Sequence, residues 1–98
     1  MRSEKRFYIY IVTDKPYGTL YIGVTSDLAR RIYEHKAGLY KGFSKTYGLK
    51  QLVYHEVQET AEAAFQRETS LKRWRRDWKK QLIESVNPTW RDLYNELA

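Results

Sequence analysis

Two phenols, a guanidinium, an imidazole and a carboxylate stand at Tyr10, Tyr21, Arg31, His35 and Glu68 of this 98-residue chain. Groups of these kinds move protons and offset developing negative charge. Each alone has an ordinary structural explanation. Tyrosine is a favoured strand residue, Arg31 has Asp27 and Glu34 close in sequence, His35 fits the edge of a core, and Glu68 has Arg and Lys neighbours. The combination is harder to explain that way, because all of these groups fall on faces that point into one small, basic fold.

The basic balance is concentrated. Lys and Arg number 18 against 12 Asp and Glu, a net charge of +6, and residues 67–80 alone hold seven cations against two acids. Such a stretch favours a polyanion, a nucleic acid or an anionic membrane surface, over a small acidic metabolite. Lys72, Arg73, Arg75, Arg76, Lys79 and Lys80 are the candidate phosphate contacts, with Trp74 and Trp78 interleaved as stacking surface. The plainer alternative is a solvated helix face with tryptophans in the core. There is no cysteine, so disulfides and thiolate metal sites are excluded, and a reducing, cytoplasmic setting is expected. The apolar run from Phe7 to Val12 is too short for a bilayer span, and Met1 to Arg6 is polar with no apolar core of a secretion signal behind it, which argues against insertion and export.

Ninety-eight residues suit a single domain spanning 1–98. Phe7 to Val12 and Leu20 to Val24 are aromatic and β-branched, with Pro16 and Gly18 between them, which predicts a β-hairpin. Alternation puts Tyr8, Tyr10 and Val12 on one face, Phe7, Ile9 and Ile11 on the other, and Tyr21 with Gly23 on a shared face. Thr25, Ser26 and Asp27 offer N-caps for a helix over residues 28–36 that stops at Gly38. At helical spacing Leu28, Arg31, Ile32 and His35 share a stripe, while Arg30 points away to solvent. Residues 37–48 read as a loop or short irregular helix, and Gln51 to Val57 as a third strand. Thr60 starts a long helical stretch to about Ser85, with Asp77 able to cap a second segment. Its apolar stripe is Ala61, Ala64, Phe65, Leu71, Trp78 and Leu82, and Glu68 falls inside it, where an acid needs a partner. Asn87 before Pro88 reads as the N-cap of a last short helix. The expected class is α+β, in the order ββαβααα.

With these residues in place, the sequence resembles the GIY-YIG nuclease superfamily over almost its whole length, in particular its small stand-alone bacterial members. The first half-motif stands as Tyr8-Ile9-Tyr10, with tyrosine where the family name has glycine, and the second stands intact as Tyr21-Ile22-Gly23. Arg31, His35, Glu68 and Asn87 match family functional positions in order and spacing. The resemblance implies a three-stranded antiparallel sheet flanked by helices. It also implies metal-dependent hydrolysis of DNA phosphodiesters, with one Mg²⁺ or Mn²⁺ ion on a single protein carboxylate, Glu68, weakly held without DNA. On that reading Arg31 neutralises charge on the phosphoryl oxygens. Tyr10 or Tyr21, helped by His35, positions or deprotonates the attacking water, Arg31 and the metal lowering the phenol pKa. Asn87 either holds the metal-side geometry or simply caps a helix. Similarity to the N-terminal nuclease domain of the bacterial excision-repair nuclease implies a DNA-repair setting.

The expected function is thus a small DNA endonuclease with little sequence preference or with selectivity for DNA structure. The alternative is a non-catalytic nucleic-acid-binding module built on the basic helix 67–80. Backbone cations do not separate DNA from RNA, so RNA stays open as a partner.

Overall fold

Aromatic and β-branched residues fill both arms of an antiparallel hairpin, β1 (Phe7–Thr13) and β2 (Leu20–Thr25), and β3 (Gln51–Gln58) pairs antiparallel with the free edge of β1. The sheet order is β2-β1-β3, so β1 is the central strand. This computed structural model describes residues 6–97. Helix α1 (Leu28–Lys36) follows β2, the one-turn α2 (Phe43–Thr46) precedes β3, and α3 (Ala61–Arg73) and α4 (Arg76–Val86) follow it, with a 3-10 turn at Tyr94–Glu96. The class is α+β, as expected. Helix α2 gives form to the segment read as loop or irregular helix.

Alternation along β1 sends its side chains to two separate cores. Tyr10 and Val12 pack with Leu28 and Ile32 of α1, together with Leu49 and Leu52. Ile9 and Ile11 pack with Ala64 and Leu71 of α3, Ile83 of α4, and Trp90. The sheet is therefore a middle layer, and residues 9–12 have no exposed surface. Local caps set where the helices begin. The Asp27 side chain accepts from the Arg30 N–H at 3.2 Å, and Thr60 accepts from the Ala63 N–H at 3.0 Å.

The packed face of α3 is narrower than its sequence suggests. Ala64, Arg67, Glu68 and Leu71 form the i, i+3, i+4, i+7 row, and only its two ends are apolar. Phe65 is 68% exposed and Ala61 and Trp78 are also exposed, so these three are not core residues. Arg67 is neutralised within the fold, donating to Glu56 through Nε at 2.8 Å and Nη2 at 3.1 Å. The helix break falls at Trp74 and Arg75, both in extended backbone, three and two residues before Asp77, which lies in the first turn of α4 and caps nothing. The reason is packing, because Trp74 lies against the α3-side core.

The expected helix after Asn87 does not form. Asn87 is the C-cap residue of α4, and Trp90 takes a positive φ of 59°, which a helix cannot continue through. Burial of Trp90 decides this: its indole N–H donates to Glu84 at 3.0 Å, and Leu93 N–H donates to the Leu52 carbonyl at 2.8 Å, tying the tail to β3. Between Ile11 and Val12 the β1–β3 register slips by one residue, a bulge that leaves Val53 out of the pairing. The freed Val53 carbonyl accepts from Asn87 Nδ2 at 3.0 Å. Asn87 Nδ2 also donates to the Arg91 carbonyl at 2.9 Å, and its Oδ1 accepts the Arg91 N–H at 3.1 Å.

Asn87→Ala should therefore cost stability, by about 2 kcal/mol for the buried backbone groups left without partners. Urea midpoints of wild type and variant measure this, and an unchanged midpoint would remove Asn87 from the frame of the fold.

Candidate active site

The β1–β2 register sets Tyr10 opposite Gly23. A Cβ on Gly23 would lie 2.5 Å from Tyr10 Oη and 2.6 Å from the ring carbon that bears it. Glycine is required here by close approach: the Tyr10 phenol occupies the space a side chain would take. Helix α1, packed on this face, brings up Arg31 and His35 as the helical stripe predicts. Arg31 Nη1 donates to Tyr10 Oη at 3.3 Å and to the Val24 carbonyl at 3.2 Å. His35 Nε2 lies 2.9 Å from the same phenol oxygen. Tyr21 completes the group, its ring 6.3 Å from Tyr10 and 5.7 Å from His35 between centroids. Arg30, by contrast, faces solvent; Glu34 pairs with both arginines, 3.3 Å from Arg30 Nε and 3.5 Å from Arg31 Nε.

Two residues that sequence reasoning missed complete this cluster. The Tyr40 ring lies 4.4 Å from the Arg31 guanidinium and 4.7 Å from the His35 ring, with its hydroxyl 3.5 Å from that of Tyr21. Ser44, buried in α2, has its Oγ 2.9 Å from His35 Nδ1. Both come from the glycine-punctuated segment 38–48, where no periodicity marks a face. The one available signal was a tyrosine and a serine held between Gly38 and Gly48.

Burial dominates the electrostatics. It pushes His35 down to about 4, with the Arg31 charge acting the same way, so the imidazole is neutral at pH 7. Burial also pushes the Tyr10 phenol up to about 12; Arg31 pulls it back by hydrogen bond and charge but does not win. Tyr21 is raised as well, by burial and then by its contact with Tyr40. Arg31 acts on the Tyr10 phenol in the expected direction, and its charge alone does not offset burial. Glu68 lies on α3 and acts on this cluster through its charge. Its charge contributes to the raised values of both Tyr10 and Tyr21. The carboxylate side chain is 17% exposed and pairs with Lys72 at 3.1 Å.

The remaining predicted residues separate by task. Asn87 is fully buried and hydrogen-bonded to backbone, with no hydrogen bond to the Tyr10 cluster. Arg76 Nη2 donates to the carbonyls of Tyr17 and Gly18 at 2.8 and 2.6 Å, which makes it a clamp between α4 and the β1–β2 loop. Lys79 donates to the Lys72 carbonyl at 3.3 Å, and Lys80 pairs with Asp77 at 3.8 Å. Arg73 and Arg75 form no ion pair among the described residues, and Arg75 lies 5.4 Å over the Trp78 ring. Among those residues no helix is long and apolar enough to cross a membrane.

Comparison with known proteins follows the same lines. A family model described as the GIY-YIG catalytic domain matches residues 6–81, a span that holds Tyr10, Tyr21, Arg31, His35 and Glu68 and stops short of Asn87. The UPF0213 protein HQ_3675A of Haloquadratum walsbyi is 39% identical over 79 residues, covering 79% of this chain and 85% of that protein. The UPF0213 protein SSP2268 of Staphylococcus saprophyticus is 38% identical over 78 residues, covering 80% of this chain and 94% of that protein. The solution NMR structure of the UPF0213 protein BH0048 from Bacillus halodurans superposes with a TM-score of 0.56 at 27% identity, over 95% of this chain and 97% of that one.

The neutral, buried state of His35 has a consequence for pH. Its folded value of about 4 lies below the ordinary 6.5, so in that window the unfolded chain binds a proton that the folded chain does not. The stabilising contribution is complete above pH 6.5 and is lost as pH falls toward 4, at up to about 1.4 kcal/mol per pH unit. Denaturant midpoints at pH 7 and pH 5 should show this loss in wild type and a clearly smaller one in His35→Gln. The residue of the effect is expected from His55, which burial also lowers. Equal pH dependence in the two proteins would contradict the buried neutral imidazole.

Proposed function

The chain belongs to the GIY-YIG family, and from that premise we propose that it is a divalent-metal-dependent endonuclease that hydrolyses DNA phosphodiester bonds, with little sequence preference or with selectivity for DNA structure. The observation that carries this reading is the single hydrogen-bonded cluster of Arg31, Tyr10 and His35, with the Glu68 charge reaching it from another element.

The donors suit one hard cation. Among the described residues no three His, Cys, Asp or Glu side chains gather as a metal cage, which leaves the partly buried Glu68 carboxylate, whose charge acts on the Tyr10 and Tyr21 phenols, as the candidate ligand. One carboxylate can suffice for Mg²⁺ or Mn²⁺, which keep several waters and take further ligands from substrate phosphates, and on this reading the ion would be weakly held without DNA. Lys72, the present partner of Glu68, is half-exposed on a flexible stem and free to turn away toward a phosphate. When bound, the cation supplies charge neutralisation at the scissile phosphate.

The protein's own groups do the rest. Arg31 stays charged and is held in place by Tyr10, the Val24 carbonyl and the Tyr40 ring, which suits it to offset charge growing on phosphoryl oxygens. His35 is neutral at pH 7 and so has a nitrogen able to accept a proton, with the Tyr10 hydroxyl beside it. Arg73, Arg75 and Trp78 offer phosphate contact and stacking surface for DNA.

A supercoiled-plasmid nicking assay with Mg²⁺, Mn²⁺ or EDTA tests the proposal. Wild type should nick with either ion and not with EDTA. Glu68→Gln should keep its melting midpoint, bind DNA at least as tightly, and lose cleavage by about a hundredfold or more, the order expected when transition-state charge stabilisation is removed. A lowered midpoint together with retained Mg²⁺-dependent nicking would make Glu68 a structural partner of Lys72. DNA binding without cleavage by wild type would favour the binding module.

A further inference from the structure

We infer that Ser44 is a positioning residue: it fixes His35 as the Nδ1–H tautomer, so that Arg31, Tyr10, His35 and Ser44 form one hydrogen-bond chain running in a single direction. The argument is a count of donors and acceptors. Tyr10 has no exposed surface, so its hydroxyl proton must find an acceptor inside the protein. Two nitrogens lie within reach of Tyr10 Oη. Arg31 Nη1 only donates, and so occupies a lone pair of the phenol oxygen. The phenol proton therefore goes to His35 Nε2 at 2.9 Å.

A neutral imidazole that accepts at Nε2 carries its proton at Nδ1. That N–H faces Ser44 Oγ at 2.9 Å, and Ser44 is itself 2% exposed. Among the described residues neither ring nitrogen has another hydrogen-bond partner. In the opposite tautomer Nε2–H and Arg31 Nη1 would both aim at Tyr10 Oη and leave the fully buried phenol proton without an acceptor, whereas in the assigned one the proton left over is that of the Ser44 hydroxyl, which rotates freely and keeps 2% exposure. The Tyr40 ring, packed against His35 and over Arg31, keeps both in register with the chain.

The consequence for chemistry rests on the cleavage reading above. The attacking water loses a proton as its oxygen bonds to phosphorus; relayed to Tyr10 Oη, that proton displaces the phenol's own proton to His35 Nε2, and the imidazolium formed keeps its Nδ1–H on Ser44. Without Ser44, a share of the molecules holds His35 in the tautomer that cannot accept from Tyr10.

The test reads the tautomer directly, on the full chain at pH 7 and without DNA or metal. Long-range ¹H–¹⁵N correlation spectra of the His35 ring, assigned by their loss in His35→Gln, are compared for wild type, Ser44→Ala and Ser44→Thr. Wild type and Ser44→Thr should show Nδ1 protonated and Nε2 as a lone-pair nitrogen, and Ser44→Ala should show a mixture. Nε2–H in wild type overturns the proposal, as does an unmixed Nδ1–H tautomer in Ser44→Ala; the wild-type spectrum decides even where Ser44→Ala fails to fold. In nicking assays Ser44→Ala should lower kcat by about tenfold or more with KM unchanged, and Ser44→Thr should restore it. A wild type that shows the expected tautomer and no cleavage overturns the nuclease reading and leaves the Ser44 assignment standing.

Discussion

Tyr10 and Gly23 face each other across the first two strands, and the phenol fills the space where a Cβ on Gly23 would sit, 2.5 Å from its hydroxyl oxygen. Because Tyr10 belongs to the central strand, with neighbours on both sides and no exposed surface, its ring has nowhere else to go. The hydroxyl therefore stands at one fixed point under α1. Arg31 and His35 meet it there, and Tyr40 and Ser44 brace those two in turn. Shifting the pairing register by one residue would place a side chain opposite Tyr10 and turn Tyr21 to the other face. The aliphatic packing of Ile9, Ile11 and Ile22 beneath the sheet holds that register.

The charges are arranged with the same internal purpose. A net +6 suggests a broad surface for polyanions, yet much of the basic stretch is engaged within the fold. Arg67 is paired with Glu56, Arg76 holds the β1–β2 loop, and Lys80 pairs with Asp77. The loop that Arg76 holds contains Tyr17 at a positive φ of 61°, stacked 4.8 Å from the Trp90 ring. Arg76, with Lys80 5.7 Å over the Tyr17 ring, joins α4 to the hairpin whose second strand carries Gly23. Arg73 and Arg75 form no ion pair among the described residues.

What was legible in the sequence was what local periodicity encodes. The hairpin, the split of β1 between two faces, the Asp27 cap and the opposite orientations of Arg30 and Arg31 all follow from period 2 and period 3.6 along contiguous residues. Features set by distant contacts were not legible. The bulge at Val53 and the role of Asn87 are one arrangement between residues 34 apart in the chain. The Asn-Pro pair reads locally as a helix start, but burial of Trp90 redirects the backbone. In α3 the stripe suggests Phe65 in the core, whereas the row that packs has charged residues at its two middle positions. Ser44 and Tyr40 lie in a segment with no pattern of its own, and only the packing of α1 shows what they touch.

Gly23→Ala is the most direct test of this arrangement, because it adds one methyl group at the point on which the cluster rests and leaves the chemical identity of every functional group unchanged. The measurement is the Mg²⁺-dependent nicking rate of the folded variant at saturating DNA. With Tyr10 Oη displaced from Arg31 and His35, the rate should fall by about a hundredfold or more, while DNA affinity, set by exposed cations, stays at the wild-type value. A folded Gly23→Ala protein that nicks at the wild-type rate would contradict it.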